Sequence, residues 1–251
     1  MYFHIPRNNM TKIIIKDTEN FDIFGLKELE IGEVYADWIF SVFKPYISER
    51  ILEVGSGLGL IVNRLQNREL VVASDINDDF LRILKSKFKN QKNIEIFKLD
   101  IEKASKRDID ILSNKRIETI ITVNTLEHIK DDFAALVNIH KILKENGRLI
   151  VFVPALGKLY GSLDRAFGHY RRYSKKDIVT KLTKSGYKVE YIRYFNFIGI
   201  FWWFLAGKIF KKENLPKMTG FFLKFVVPIF NKIESFIKIP IGQSLIIVAQ
   251  K

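Results

Sequence analysis

Short apolar runs alternate along this chain with stretches whose apolar residues recur at helical spacing. Residues 51–54, 70–74, 94–99, 117–123 and 148–153 read as five β-strands, with 188–194 and 244–249 as two more. Helical spacing runs over 26–43, where Leu29, Val34, Trp38 and Val42 share a face and Pro45 closes the run. It returns over 60–67, from about 78–80, over 131–144 with Asp131 and Asp132 as caps, and over 174–185, from the Ser174 cap to the stop at Gly186. Strands regularly separated by helices predict an α/β fold with a doubly wound, mainly parallel sheet of seven strands and helices on both faces. In such sheets ligands bind beyond the carboxyl ends of the strands.

The pattern divides the chain. Residues 1–47 form an arm and a helix expected to lie over a cofactor, while 48–196 with 243–251 make the sheet domain. Residues 197–242 are a mainly helical insert before the last strand. Within and beside the insert, FNFIGIFWWFLAG (195–207) is nearly all apolar but too short to span a bilayer, which needs roughly 20 apolar residues. In TGFFLKFVVPIFNKIESFI (219–237), Lys224, Pro228, Asn231 and Ser235 make a narrow polar stripe against a wide apolar face, and Pro228 is placed to kink the helix. Such a helix packs on the domain, lines a pocket for a lipid-like chain, or lies on a membrane surface.

Charge sharpens this division. The chain of 251 residues carries +13, yet residues 1–150 hold 23 basic and 23 acidic side chains, and the last 101 hold 18 basic against 5 acidic. All the excess (18 − 5 = 13) thus lies in the part that contains the insert, which suggests an anionic partner: a membrane surface, an acidic substrate or nucleic acid. No cysteine is present, which removes disulfides, thiolate metal sites and a cysteine nucleophile. MYFHIPRNNMTK lacks the basic-then-apolar pattern of a secretion signal, so a cytoplasmic location is expected, with the inner membrane surface as a peripheral site. No metal is expected.

The first strand ends in ILEVGSGLG (51–59), where Gly55, Gly57 and Gly59 alternate. Side-chain-free turn residues let a backbone approach a nucleoside closely. A dinucleotide fold would show G-x-G-x-x-G and seat a pyrophosphate there; here the third glycine comes one residue early and Glu53 would repel a phosphate. This E-x-G-x-G-x-G resembles the first motif of class I S-adenosylmethionine-dependent methyltransferases, whose cofactor carries an ammonium and a sulfonium and no phosphate. Asp75, at the end of the second strand, is placed to accept both ribose hydroxyls, or else to cap the next helix. The run NTLEHIKDD (124–132) followed by LKENGRLIVFVP (143–154) resembles two further segments of small-molecule methyltransferases, so the likeness covers 48–154 in order. It implies a Rossmann-like fold, S-adenosylmethionine as cofactor, and a cofactor site made of Glu53, Gly55, Ser56, Gly57, Gly59, Asp75, Ile76, Asp100, Ile101, Asn124 and Leu126. In the family an acid at the position of Asp100 bonds the adenine amino group, and its neighbour, here Ile101, packs on the ring.

Methyl transfer from a sulfonium is an in-line displacement, so holding the nucleophile, methyl and sulfur collinear dominates. An alcohol or phenol must also lose a proton. His128 is the candidate base, since an imidazole titrates near about 6.5; its other reading is packing on the adenosine or capping the next helix. Glu127 reads as structural or cofactor-adjacent, and His140 as structural. The segment LYGSLDRAFGHYRRYS (159–174) resembles one found in a methyltransferase subgroup. His169, Tyr170, Arg171, Arg172 and Tyr173 are its candidate acceptor contacts, because paired arginines grip phosphate or carboxylate and tyrosines can cover it. One arginine is expected to pair with Asp164 or Asp177 and hold the loop. Tyr35 and Trp38 are candidates to cover the methyl-donor end, with core packing as the other reading.

The leading expectation is a methyltransferase, oxygen-directed, acting on a small or lipid-like acceptor with an anionic group. RNA methylation is the first alternative. Against it, the aromatics sit in apolar runs instead of between Lys and Arg, and NTLE stands where base-amino methylation would show N/D-P-P-Y/F. A non-catalytic cofactor-binding scaffold and a hydride-transfer enzyme are the remaining alternatives.

Overall fold

The computed structural model describes residues 23–212, 226–237 and 239–251. The expected arm and Lys224 lie outside them. Helix α1 (Ile23–Phe43) leads into a short 3₁₀ turn at Lys44–Tyr46 and then the sheet. Its strands are β1 (Arg50–Val54), β2 (Leu70–Asp75), β3 (Ile94–Lys98), β4 (Thr119–Val123), β5 (Arg148–Pro154), β6 (Lys188–Phe195) and β7 (Ser244–Gln250). They lie in the order β3-β2-β1-β4-β5-β7-β6. β1 to β5 pair in parallel, whereas β7 runs antiparallel between β5 and β6. The strand order reverses between β1 and β4, so the crevice at their carboxyl ends is the place for a ligand.

Alternation along the strands builds both cores. Leu52, Ile120, Leu149, Val151, Leu245 and Ile247 point to one face, against α3 (Lys106–Ser113), α4 (Asp132–Ile142) and α6 (Lys175–Lys184). Their neighbours Ile51, Ile121, Ile150, Phe152, Ile246 and Val248 point to the other, against α1 and α2 (Asp78–Lys87). A satellite core of Leu159, Leu163, Phe167, Trp203 and Ala206 joins α5 (Ser162–Ala166) to the insert.

Several predicted boundaries hold for the predicted reason. Asp131 accepts the amide of Ala134, and Ser174 accepts that of Asp177, so both cap their helices. Asp132 does not cap; it accepts from Tyr173 and Lys181. The helix expected over 60–67 is corrected to turns closing in a 3₁₀ segment, Val62–Arg64. Arg64 explains this. Its guanidinium takes the carbonyl of Leu60 (2.6 Å), which the amide of residue 64 would use in an α-helix, and reaches Glu33 (2.8 Å) and Asp37 (2.8 Å) on α1. The same contacts pin α1 to the segment that follows the glycine turn.

The insert leaves the sheet where Asn196 and Gln243 meet: the Gln243 amide donates to the Asn196 carbonyl (3.0 Å) and the two side chains bond (2.9 Å). It begins with α7 (Ile198–Trp203), which widens into a π-helix at Phe204–Ile209, and closes with α8 (Val227–Phe236). Pro228 stands in the first turn of α8, where its missing amide donor costs nothing; residues 219–225 of the helix expected to kink there lie outside the described residues. No described helix is long and apolar enough to cross a membrane.

Candidate active site

β1 hands over to a turn that its hydrogen bonds hold open. The amides of Gly55 and Ser56 both donate to the Ser74 carbonyl (2.8 Å each), and that of Gly59 donates back to Ser56 (2.8 Å). Gly55, Gly57 and Gly59 take φ values of 75°, 50° and 71°, the left-handed region that suits glycine. A Cβ on Gly59 would also meet Leu84 and Phe88 at 2.8 Å. Asp75 closes the turn from β2: one carboxylate oxygen accepts the Gly57 amide (2.9 Å) and the other the Asn77 amide (2.9 Å). Burial raises its pKa, and these two backbone bonds partly offset the rise. Asn77, not Asp75, caps α2. Ile76 stands 59% exposed just past β2, an apolar surface at the strand end.

Glu53 lies buried on β1 with Oε2 lacking a hydrogen bond. Burial pushes its pKa from 4.5 to about 8, Ser56 offsetting part of this and Asp75 adding to it. An orphaned carboxyl beside an open glycine cradle fits a ligand that is cationic and lacks phosphate. Asp100 is half-buried and accepts the Lys103 amide (3.2 Å), while Ile101 joins the core below. Asn124, at φ 49°, donates its amide to Phe152 (2.8 Å), and Leu126 is fully buried. Thr125 ties this loop to β1 through the Val54 carbonyl (3.1 Å).

A second constellation stands beyond β4 and β5. Leu126–His128 form a 3₁₀ turn, and the Tyr170 amide donates to the Glu127 carbonyl (2.8 Å), which brings the GHYRRYS loop alongside. The rings of His128 and His169 meet edge to face, 4.7 Å between centroids. Asp164 is the hub behind them. Fully buried, it bonds His169 Nδ1 (3.0 Å), Arg172 Nε (2.7 Å), Trp203 Nε1 (3.0 Å) and the Gly161 amide (2.9 Å). Burial alone would raise its pKa, but His169, Arg172 and Trp203 outweigh that and hold the carboxylate ionised. Glu127 has no exposed surface, and neither oxygen bonds another described residue; burial pushes its pKa to about 7, with His169 lowering it in part.

The two arginines are separated. Arg172 is buried, reaches Ala155 (3.0 Å) and stacks on Trp203, so it holds the loop through Asp164 as the sequence suggested for one of the pair. Arg171 pairs with Asp132 (2.8 Å) and the Lys130 carbonyl (2.6 Å), keeping part of its side chain in solvent. Tyr173 is buried against Asp132 (2.8 Å), whereas Tyr170 is exposed. Tyr35 and Trp38 are enclosed in the core against Phe195, and the Tyr35 hydroxyl lies 3.4 Å from Asn196. His140, on α4, packs edge-on against Tyr187.

Two features escaped the sequence reading. Asp164 was read only as an arginine partner and Glu127 only as structural or cofactor-adjacent; the bonds of Asp164 to His169 and Trp203, and the grouping of Glu127 with two histidines, arise through the fold. Glu234 of α8 accepts the amides of Asn196 (3.0 Å) and Phe197 (2.8 Å) and so locks α8 to the start of the insert.

Comparison with known proteins agrees with this geometry. Residues 52–151 match the family described as a methyltransferase domain. A probable polyketide synthase 42 of Dictyostelium discoideum is 27% identical over 191 residues, 67% of this chain and 7% of that protein. Ribosomal RNA small subunit methyltransferase A of Syntrophus aciditrophicus is 30% identical over 177 residues, 62% of this chain and 60% of that one. The chain therefore spans less than two thirds of either relative. A solved S-adenosylmethionine-dependent methyltransferase from Archaeoglobus fulgidus shares the fold at a TM-score of 0.57 with 18% identity, covering 92% of this chain and all of that one. Residues 52–151 thus resemble a methyltransferase domain, the sheet that carries them is Rossmann-like, and S-adenosylmethionine is the cofactor that this likeness supports.

Proposed function

We propose that the protein transfers a methyl group from S-adenosylmethionine to an oxygen of a small or lipid-like acceptor that carries an anionic group. The observation that supports this most is the cluster of Glu127, His128 and His169: the first two stand on the loop after β4, which is tied to β1 just before its glycine turn, and His169 joins them from the loop after β5. Glu53, Gly55, Ser56, Gly57, Gly59, Asp75, Ile76, Asp100, Ile101, Asn124 and Leu126 would hold the cofactor, which supplies an electrophilic methyl on sulfur. The acceptor's O–H bond breaks as its oxygen takes the methyl, and the proton goes to the imidazole cluster, with His128 as the candidate base. Tyr170 and the solvent-facing part of Arg171 would meet the acceptor's anionic group. Arg172 and Tyr173 support the loop from beneath.

The lipid-like character of the acceptor rests on the insert. Phe201, Phe204, Ile209 and Phe210 on its first helical stretch and Ile229, Ile233 and Ile237 on its last are all exposed, Phe210 at 63%, with Lys208, Lys211, Lys212 and Lys232 exposed among them. An apolar surface rimmed by lysines suits an amphipathic acceptor or the anionic membrane surface that presents it. In this reading 197–242 acts as a lid on the acceptor. RNA methylation is the second reading, since one relative is named for ribosomal RNA. The test is radiolabelled methyl transfer to lipid extract, small phenols and total RNA. Label in the lipid or phenol fraction supports the proposal, and label in RNA alone overturns it. His128→Ala should slow turnover at least tenfold while S-adenosylmethionine affinity stays within a factor of two; wild-type rates would remove His128 from the chemistry.

A further inference from the structure

The three-residue cluster at the carboxyl end of β4 has a chemistry that methyl transfer by itself does not call for. Glu127, His128 and His169 each present a ligand atom, and these three atoms lie within 4.8 Å of one another. Ligands bound to one ion at about 2.0–2.2 Å stand about 3 Å apart when adjacent and about 4 Å when opposite, so a small closure brings all three onto one ion. Glu127 is the telling member. It is fully enclosed, both its oxygens lack a hydrogen bond to any other described residue, and no cationic side chain pairs with it among the described ion pairs. A buried carboxyl without a partner is costly unless something else neutralises it.

His169 adds a second, independent sign. Its Nδ1 is bound to the Asp164 carboxylate at 3.0 Å, and Asp164 is itself fixed by Arg172, Trp203 and the Gly161 amide. With Nδ1–H donated to Asp164, Nε2 carries the lone pair. That is the carboxylate–histidine arrangement that orients an imidazole toward a metal and fixes its tautomer. Two imidazoles and one carboxylate suit borderline divalent ions such as zinc, manganese, iron or cobalt, and suit magnesium or calcium poorly.

We propose that Glu127, His128 and His169 bind a divalent transition-metal ion whose remaining position takes the acceptor oxygen. The proposal rests on reading this cluster as the acceptor end of the methyl-transfer site. It would make His128 a ligand in the loaded protein in place of the base; the ion would acidify the bound hydroxyl, whose proton would leave to solvent water. Neither the arrangement of these three residues nor the Asp164 support follows from sequence spacing, because His169 reaches the cluster only through the loop after β5.

The experiment uses the full chain, free of any histidine tag and stripped with chelator, titrated with Co²⁺ in the absence of acceptor. Saturable uptake of one Co²⁺ per chain, with ligand-field bands in the visible spectrum, is expected. Glu127→Gln and His169→Gln should each weaken it at least tenfold while S-adenosylmethionine binding, measured in parallel, stays unchanged. Failure of the wild-type chain to take up Co²⁺ overturns the proposal, as does uptake that both variants retain. Because metal uptake is read without turnover, a negative result leaves methyl transfer standing, and absence of methyl transfer leaves the metal result readable.

Discussion

At the scale of single residues, the buried carboxyls carry the most information. Glu53 is held protonated up to about pH 8 and Glu127 up to about pH 7, both through burial, whereas their counterparts in an unfolded chain ionise near 4.5. Between those values the folded state binds protons that the unfolded state has lost, so stability falls as pH rises through the window and levels off above it. Glu53→Gln removes its share of the fall. The ligand-free variant should match the wild type near pH 4 and exceed it at pH 8 by on the order of a few kcal/mol, measured by denaturant unfolding. Equal stability at pH 8 would mean that Glu53 is ionised and partnered in the fold. Gly57 makes the complementary case: at φ 50°, its amide held by Asp75, it leaves the turn without a side chain where the proposed site would seat the cofactor.

Among the elements, the strands and their caps were legible because each depends on neighbours in sequence. Short apolar runs, alternating in 94–99, gave β1 to β7, and Ser174 and Asp131 announced their helices by residue type alone. The segment after the glycine turn was misread as a helix because Arg64 acts across the fold, drawing Leu60's carbonyl away from the helical ladder toward Glu33 and Asp37. The capped helix α3 went unread for another reason: KRDIDILS is short and mostly polar, although Ser105 and Asp108 form a reciprocal cap. The attachment of α8 was also hidden. Glu234 sits in a stretch that reads as apolar, and its partners Asn196 and Phe197 belong to the other end of the insert. Glu234→Ala leaves two buried-side amides without an acceptor and should lower stability by about 1–3 kcal/mol. It should also speed amide exchange at Asn196 and Phe197 with cofactor affinity unchanged. An unaltered unfolding midpoint would show that α8 is held by its apolar face instead.

Over the whole molecule, one chain holds two unlike halves. The sheet places the glycine turn and the loop that carries His128 side by side at the reversal between β1 and β4, and the order of motifs foretold this neighbourhood but not the approach of His169. The cluster beyond β4 and β5 was only partly readable, since Asp164, His169 and Glu127 come together through loops whose paths sequence does not fix. The basic excess and the exposed phenylalanines and isoleucines of the insert form the other half. If they serve an amphipathic acceptor, the protein should sediment with vesicles containing anionic lipid, bind neutral vesicles far more weakly, and lose that difference as salt rises. Deleting 208–238 should abolish the preference and acceptor use while sparing the cofactor; a truncated protein that still methylates normally would end the lid reading. Everything above depends on the donor lying against the turn at Gly55–Gly59. Calorimetric titration of the full chain with S-adenosylmethionine tests this most directly. One site per chain that Gly57→Val eliminates without unfolding the protein is the predicted result, and undiminished binding in that variant would contradict it.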